Sequence, residues 1–421
     1  MTAIRLRRVT PEQLPSLARP AVDAETETAV RPIIEDVRRR GEAALVEQAR
    51  RFGDLAPDES PYRTTDELAR ALDSLGEDER GLLLRTAARI RSFAEAQKAT
   101  LSALDIPVSG GRAGHMLAPV AAAGCYAPGG RFPLPSSVLM TAVVARAAGV
   151  SSVWVASPRP TAHTLAAAAA AGADGLLAVG GAQAIAALAY GAEPVPPSDV
   201  VCGPGNRFVT AAKKLVAGDC AIDMLAGPSE LVVLADHTAD AETIAADLLA
   251  QAEHDPEARP ILVTPDATLA DAVDAALARQ LATLPTRPTA EPALRGGFCV
   301  RVRDLDEGAR VCDKLAPEHL QVMTADADTV AARCRHYGAL FIGAQSAEAA
   351  GDYGAGPNHV LPTGGTARFA GGLSVFNFLR VRTWLRLDDG PEAQTLLRDA
   401  AALARLEGLE GHARAAEKRL R

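Results

Sequence analysis

Aromatic residues are scarce in this chain of 421 residues, at 4% of the composition. Because hydrophobic residues as a whole make up 48%, the interior must pack on Ala, Leu and Val, which suits tightly packed α/β layers. Folded units typically hold about 150 residues, so two or three units are expected. The composition therefore predicts an enzyme-like globular protein rather than a fibrous or disordered one.

An excess of basic charge is also missing. The formal net charge is -8 and the pI is near 5.6, which argues against nucleic-acid binding because phosphate contacts need a concentrated basic face. No run of about 18 uninterrupted apolar residues occurs, and none follows the basic N-terminal residues, so neither a membrane span nor an export signal is predicted. The six cysteines include no CxxC pair, which favours a reducing compartment over a disulfide framework or a thiolate zinc site. We predict a cytoplasmic protein that acts on a small molecule, with no nucleic-acid or membrane partner.

The order of apolar segments predicts an α/β fold. Residues 1 to about 100 show mainly helical spacing. Beyond them, short apolar runs alternate with Ala-rich helical segments, first over about 151–218 and again over about 231–343. Such alternation indicates right-handed β-α-β units and parallel sheets. Two series of this kind predict two doubly wound domains.

The usual dinucleotide fingerprint, GxGxxG after a strand, is absent. In its place, Gly180–Gln183 and Gly203–Asn206 each precede a helical segment, where backbone N–H groups could approach an anion. Tyr126 precedes a Pro-Gly-Gly turn, where its ring could lie against a nucleotide. Each of these segments alone is more typical of a structural turn.

Four polar residues are candidate metal ligands. Gln251 and His254 are spaced i and i+3, so on a helix they share one face. Asp352 and His412 lie beside glycines in segments that are typical of loops. Zinc needs about four ligands, and the spacing does not show that these residues converge. Capping of a helix end explains His254 equally well.

The adjacent residues Glu318 and His319 stand in an otherwise apolar segment. An imidazole can accept the proton of an alcohol and a carboxylate can activate water, so this pair suits oxidation of an alcohol to an acid. The alternative is a helix start, with Pro317 in the first turn and Glu318 favoured by the helix dipole.

Taken together, several segments resemble the histidinol dehydrogenase family. The resemblance extends from about Val120 to the C-terminus, and the segments occur in the family's order. Each is weak separately, whereas their combination is specific. The segments are CYAPGG, GGAQAIAALAYG, GPGN, IDMLAGPSE, QAEHD, APEHL, GDYGAGPNHVLPTGGTARF and EGLEGHA.

The resemblance implies NAD-dependent oxidation of L-histidinol, through the aldehyde, to L-histidine, with one zinc ion per subunit. It implies that His319 is the general base on the alcohol and that Glu318 activates water at the aldehyde stage. The binding residues that it implies are Gln251, His254, Asp352 and His412 for zinc; Ser229, Glu407, His319 and the same four for the substrate; and Tyr126, Gln183 and Asn206 for NAD.

The resemblance also implies a homodimer built from two incomplete Rossmann-like domains. The C-terminal tail would reach the active site of the partner, so that His412 and Glu407 act in trans. The implied division is an N-terminal arm (1–23), a first domain formed by 24–126 and 229–370, a second, NAD-binding domain (127–228), and the tail (371–421).

Two other hypotheses stay open at this point. Cys125, Ala192 and Asn377 depart from the family's usual residues, which leaves room for a paralogue that oxidises another primary alcohol, such as a sulfonated diol. A non-catalytic binding protein with a cleft between two α/β domains is the alternative of a different class. It predicts no stoichiometric zinc and no NAD reduction.

Overall fold

A computed structural model describes residues 4–17, 21–129 and 133–421 of the chain. Parts of the predicted N-terminal arm, and Gly130 of the Pro-Gly-Gly turn, lie outside the described residues. The strands in the described ranges are β1 (Arg7–Val9), β2 (Tyr62–Arg63), β3 (Leu104–Val108), β4 (Gly111–Pro119), β5 (Ala122–Tyr126), β6 (Ser152–Ala156), β7 (Gly175–Leu177), β8 (Val200–Cys202), β9 (Ala221–Ile222), β10 (Glu230–Ala235), β11 (Arg259–Thr264), β12 (Phe298–Arg301), β13 (His319–Met323), β14 (Ala339–Ile342) and β15 (Leu379–Leu387).

The helices begin mostly at residues whose side chains can accept hydrogen bonds from free backbone N–H groups, such as Asp240 and Asn206. None of those in the described ranges is long and apolar enough to cross a bilayer. The helices are α1 (Ala24–Arg40), α2 (Glu42–Arg51), α3 (Thr65–Ser74), α4 (Glu77–Ala99), α5 (Pro135–Ala148), α6 (Ala162–Ala171), α7 (Gly181–Tyr190), α8 (Arg207–Val216), α9 (Ala241–Ala252), α10 (Ala267–Thr283), α11 (Arg287–Gly296), α12 (Leu305–Leu315), α13 (Ala327–Ala331), α14 (Glu348–Asp352), α15 (Pro391–Leu406) and α16 (Glu410–Glu417).

Two six-stranded sheets confirm the predicted doubly wound α/β fold. The first sheet has the order β1-β12-β11-β10-β13-β14 and is parallel throughout. The second has the order β2-β7-β6-β5-β8-β9 and is parallel except at its edge strand β2. In each sheet the chain builds outward from one central strand and then reverses direction. The points of reversal are β10/β13 and β5/β8, where doubly wound proteins form ligand crevices.

The N-terminal helices cover the second sheet. Val30 and Ile34 of α1 belong to the same buried cluster as Ile185 of α7, and Ile90 of α4 packs in a cluster with Val138 of α5. The domain division predicted from the sequence placed residues 24–126 with the first sheet instead. Helical spacing indicates which face of a helix is buried but not which sheet the helix packs against. The prediction and the structure differ for this reason.

A third, antiparallel sheet joins the predicted tail to the body of the protein. Its order is β15-β4-β3, and β15 pairs with β4 from Leu379↔Pro119 to Leu387↔Gly111. The strand β1 of the predicted arm likewise extends the first sheet by pairing with β12. Both ends of the chain are therefore fastened by backbone hydrogen bonds.

Candidate active site

The adjacent residues Glu318 and His319 lie at the amino edge of the first sheet. His319 begins β13 and pairs with Leu231 of β10, so the alternative of a helix start at Pro317 is wrong. Ser229 and Glu230 occupy the matching edge of β10. The helix α9 runs back along the sheet and ends at this edge, and α14 packs against it. Four elements thus deliver polar side chains to one buried place.

The imidazole of His319 is almost completely buried, at 3% exposure. Its Nδ1 lies 3.1 Å from the backbone oxygen of Glu230. Because a carbonyl oxygen can only accept, Nδ1 carries the proton and Nε2 is the basic atom of the neutral ring. Nε2 lies 3.5 Å from Asp352 Oδ1 and has no hydrogen-bond partner among the described residues. The ring is therefore oriented with its free nitrogen toward Asp352.

The carboxylate of Glu318 is buried beside this ring. Its Oε2 accepts a hydrogen bond of 2.9 Å from the backbone N–H of Glu230, and the hydroxyl of Ser229 also donates to it. Burial raises the pKa of Glu318 to about 7, partly offset by His319 and these hydrogen bonds. A carboxylate with a pKa near neutrality is a suitable general base for water.

A second buried carboxyl, Glu230, was not identified from the sequence. Its Oε1 accepts a 3.0 Å hydrogen bond from the backbone N–H of Gly364, whereas Oε2 has no partner among the described residues. Burial, together with the charge of Glu318, raises the pKa of Glu230 to about 8. At neutral pH this side chain is therefore mostly protonated.

The raised pKa of Glu230 predicts a pH-dependent stability that Glu230→Gln removes. Between its unfolded value of 4.5 and its folded value of about 8, the folded state keeps a proton that the unfolded chain has lost. The free energy of unfolding therefore falls as pH rises through this window. Glutamine cannot titrate, and its amide oxygen can still accept from Gly364. In metal-free protein, the melting temperature of the variant relative to wild type should rise between about pH 5 and about pH 8.

Glu242→Gln is the matched control for this measurement. Glu242 is exposed, and hydrogen bonds from Gln280 and Arg279 lower its pKa, so it stays ionised throughout the window. Its replacement should leave the pH trend of the wild type unchanged. An equal trend in both variants would contradict the assigned titration of Glu230.

Residues suited to a metal meet at Asp352. His254 Nε2 lies 3.4 Å from Asp352 Oδ2, and ligand atoms of His254, Glu348 and Asp352 lie within 4.8 Å of one another. The side chain of Gln251 is fully buried, yet neither its amide oxygen nor its amide nitrogen has a hydrogen-bond partner among the described residues. Imidazole nitrogen, carboxylate oxygen and amide oxygen are acceptable zinc ligands, so the donor set fits this metal.

The charges of the site also fit a bound cation. Burial alone would lower the pKa of His319, but Glu318, Asp352 and Glu348 together raise it to about 10. Burial, together with the charges of Asp352 and Glu318, raises the pKa of Glu348 to about 8, although His319 partly opposes this. Carboxylates thus outnumber the available cations in this buried place, and a divalent ion would correct the imbalance.

His359 is a further site residue that sequence reasoning missed. Its Nδ1 lies 2.9 Å from the backbone oxygen of Asp352, and its Nε2 lies 3.4 Å from Ser137 Oγ. It therefore fixes the loop after α14 to α5. Glu348 was also missed. The only sequence signals for these two residues were the i,i+4 spacing of Glu348 and Asp352 and the position of His359 within the GPNH segment.

The predicted NAD contacts gather at the carboxyl edge of the second sheet. Tyr126 ends β5 at the reversal point, and its buried hydroxyl accepts a 3.2 Å hydrogen bond from the N–H of Gly181. Gln183 lies in the first turn of α7, and the Asn206 side chain caps α8. The fold therefore brings together segments that are far apart in sequence, at the edge where doubly wound sheets bind dinucleotides.

The two predicted tail residues, Glu407 and His412, are not brought to the residues that meet at Asp352. Glu407 follows the last turn of α15 and His412 lies in α16, and both are exposed. Their backbone hydrogen bonds are made within the tail. His412 is not among the described residues that meet at Asp352.

Comparisons with known proteins identify the family. The family model of histidinol dehydrogenase matches residues 17–420. The histidinol dehydrogenase of Ruegeria pomeroyi is 46% identical over 95% of this chain and 93% of its own length, and that of Thermus thermophilus is 46% identical over 94% and 95%. The crystal structure of histidinol dehydrogenase from Elizabethkingia anophelis superposes with a TM-score of 0.91 at 30% identity, covering 98% of both chains. This oxidoreductase chain belongs to the histidinol dehydrogenase family.

Proposed function

We propose that the protein oxidises L-histidinol through L-histidinaldehyde to L-histidine, reducing two NAD⁺ and using one Zn²⁺ per subunit. The observation that carries this proposal is the buried Glu318–His319 pair, whose free imidazole nitrogen points toward Asp352. Relatives named histidinol dehydrogenase that share 46% identity support the choice of substrate.

The metal ligands in this proposal are Gln251, His254 and Asp352, together with His412 of the partner subunit. A zinc ion bound there supplies a positive anchor for the imidazole and amino nitrogens of the substrate. Gln251 lies in the last turn of α9 and Asp352 ends α14.

His319 removes the proton of the substrate alcohol. Its Nε2 is free to accept, and the hydrogen bond of Nδ1 to the backbone of Glu230 keeps the ring in that tautomer. Neutral imidazole is required for this role, and a cation near Asp352 would oppose the carboxylates that raise the pKa of His319. General-base assistance of this type contributes about 10² to 10⁴ in rate.

Glu318 acts at the aldehyde stage. Its carboxylate takes a proton from water as the oxygen adds to the aldehyde carbon, which gives the hydrate that is then oxidised to the acid. The N–H of Glu230 and the hydroxyl of Ser229 hold the carboxylate in place. Because the site is buried, the aldehyde stays enclosed between the two oxidations.

Tyr126, Gln183 and Asn206 form the proposed NAD site. The helix N-termini of α7 and α8 point their backbone N–H groups toward the carboxyl edge of the second sheet, where a dinucleotide diphosphate would lie. The nicotinamide must then extend toward the first sheet. Residues 223–229 connect β9 of the second sheet to β10 of the first.

Exposed apolar side chains support the proposed homodimer. Leu406 in the tail is 85% exposed and Phe369 is 84% exposed, and Val381 and Leu385 of β15 are also exposed. Val381 and Leu385 share one face of β15, and a contiguous apolar face is typical of an interaction site. We propose that a second copy covers it and that the tail of each subunit completes the active site of the other. The six cysteines are free and buried, which agrees with the reducing cytoplasm where we place the enzyme.

The residues that depart from the family's usual sequence lie outside the candidate site. Cys125 is buried in β5, where its Sγ lies 3.9 Å from that of Cys202. Ala192 is buried in the loop after α7, and Asn377 accepts a hydrogen bond from the N–H of Ser374 in a short turn. Histidinol is therefore favoured over the other primary alcohols as the substrate.

The proposal predicts that purified protein forms about two NADH per histidine from L-histidinol, because two hydride transfers are needed. Removal of metal with a chelator should abolish this activity, and added Zn²⁺ should restore it. The measurement is NADH absorbance together with quantified histidine. Turnover of another hydroxymethyl compound but not of histidinol would select the paralogue. Absence of bound zinc and of NAD⁺ reduction with any alcohol would select the binding protein.

A further inference from the structure

A buried ion pair lies outside the active site. Lys213 of α8 and Asp223, which follows β9, contact each other directly, and their side chains are 3% and 0% exposed. Burial of two charges is costly unless the remaining hydrogen-bonding capacity is also used. No step of the proposed reaction uses either residue.

Both members of this pair bind the same residue, Gly203. The N–H of Gly203 donates to Asp223 Oδ2 at 2.8 Å, and Lys213 Nζ donates to the Gly203 oxygen at 2.9 Å. Gly203 has a φ of +121°, and a Cβ there would lie 2.0 Å from the backbone oxygen of Tyr126. The ion pair thus clamps Gly203 from both sides, against the end of β5.

The GPGN loop comprises residues 203–206. Its remaining residues, 204–206, are held by contacts with nearby residues of the sequence. The ring of Pro204 restricts its φ. A Cβ at Gly205 would lie 2.3 Å from Val209 Cγ1, so the backbone there approaches α8 closely. Asn206 caps α8 and is exposed, whereas Gly203 is buried. The outer half of the loop is therefore accessible from solvent, and only the inner half is bound by the ion pair.

We propose that Lys213 and Asp223 are positioning residues for the diphosphate of a dinucleotide, acting through the GPGN loop. The inference rests on the proposed NAD site. Lys213 is not itself a phosphate ligand, because it is buried and its charge is balanced by Asp223. Its role is to hold the loop in its binding conformation before the ligand arrives, which lowers the ordering cost of binding.

The double variant Lys213→Met/Asp223→Asn tests this role without leaving a buried unpaired charge. We expect the Kd for NADH, measured by fluorescence titration, and the KM for NAD⁺ to rise at least about tenfold, since small displacements of positioning groups have large effects. The KM for histidinol should change by less than about twofold, because the proposed zinc and substrate ligands lie around the first sheet and in the tail, and none lies on the GPGN loop. A merely structural role would not separate the two substrates.

Lys214→Met is the matched control. Lys214 lies beside Lys213 on α8 but forms an ion pair with Glu27 at the surface, 2.7 Å long. Its replacement should leave NADH binding unchanged. A folded double variant that binds NADH as wild type does would overturn the inference alone. Wild-type protein that binds no NADH would overturn the proposed NAD site and the inference with it.

Hydrogen exchange on wild-type protein provides a second test that needs no variant. If the ion pair orders the loop in advance, the Gly203 amide is strongly protected in the absence of NADH, and added NADH changes this little. Rapid exchange without NADH, followed by protection when NADH is added, would overturn the inference even where the double variant fails to fold.

Discussion

His319→Asn should lower kcat for histidinol oxidation by about 10³-fold, within the usual range for loss of a general base. Asparagine has no atom that can accept the alcohol proton with comparable basicity. The zinc content should stay near that of wild type, because His319 is not a proposed ligand. Activity is measured by initial NADH formation and metal by elemental analysis.

Glu318→Gln should block the second half of the same reaction. The alcohol stage would continue, so NADH per histidinol should fall from about two toward one, a ratio set by the hydride transfers. The aldehyde should accumulate and be trapped by a hydrazine. His163→Asn, at an exposed position on α6, is the control and should behave as wild type. His319→Asn protein should release no aldehyde. If Glu318→Gln protein released none either, this would contradict the division of roles between Glu318 and His319.

Much of the fold could be predicted from local pattern, because each β-α-β unit carries its own signal. The apolar runs at β6, β7 and β10 are bounded by turn residues and alternate with helical segments. The strand β13 was harder to identify, since its apolar residues follow the charged pair Glu318–His319. Its place is decided by pairing with β10, a contact that no local pattern contains.

The candidate site shows the same limit. Gln251 and His254 could be paired from their i,i+3 spacing, although α9 ends at Ala252 and His254 lies in the turn that follows, where its N–H donates to the Gln251 oxygen. Glu230 and Glu348 were not identified, since their proximity to His319 is created by tertiary packing. A buried carboxylate in an apolar strand carries a signal only when its neighbours are known.

The two sheets present opposite edges to the proposed chemistry. The first offers its amino edge, with Glu318 and His319 before and at the start of β13. The second offers its carboxyl edge, where Tyr126 ends β5 and Gly203 follows β8 at the point of reversal. At the carboxyl edge of the first sheet, Asp236 joins the loops that follow β10 and β13 by accepting hydrogen bonds from the N–H groups of Thr238 and Ala325.

Restoration of activity from two inactive variants would show that the tail acts in trans. His319→Asn and His412→Asn should each be inactive alone. When they are co-expressed, half of the dimers are mixed, and one site in each mixed dimer has both histidines intact. About a quarter of wild-type activity should return in the unfractionated protein, as expected for random pairing in a twofold dimer, and about half in isolated mixed dimers, where one site of two is intact. The measurement is NADH formation by protein whose mixed dimers are isolated with two different tags.

His319→Asn co-expressed with His254→Asn is the control. Both residues belong to the site of one chain, where His254 lies 3.4 Å from Asp352 and His319 lies 3.5 Å from it. Neither site of that mixed dimer can be intact, so no activity should return. Recovery in the control would indicate exchange or contamination rather than a shared site. Isolated mixed dimers of the first pair that stay inactive would place His412 in its own subunit's site or outside any site. Full activity in a monomer would show that dimerisation is not a condition of catalysis.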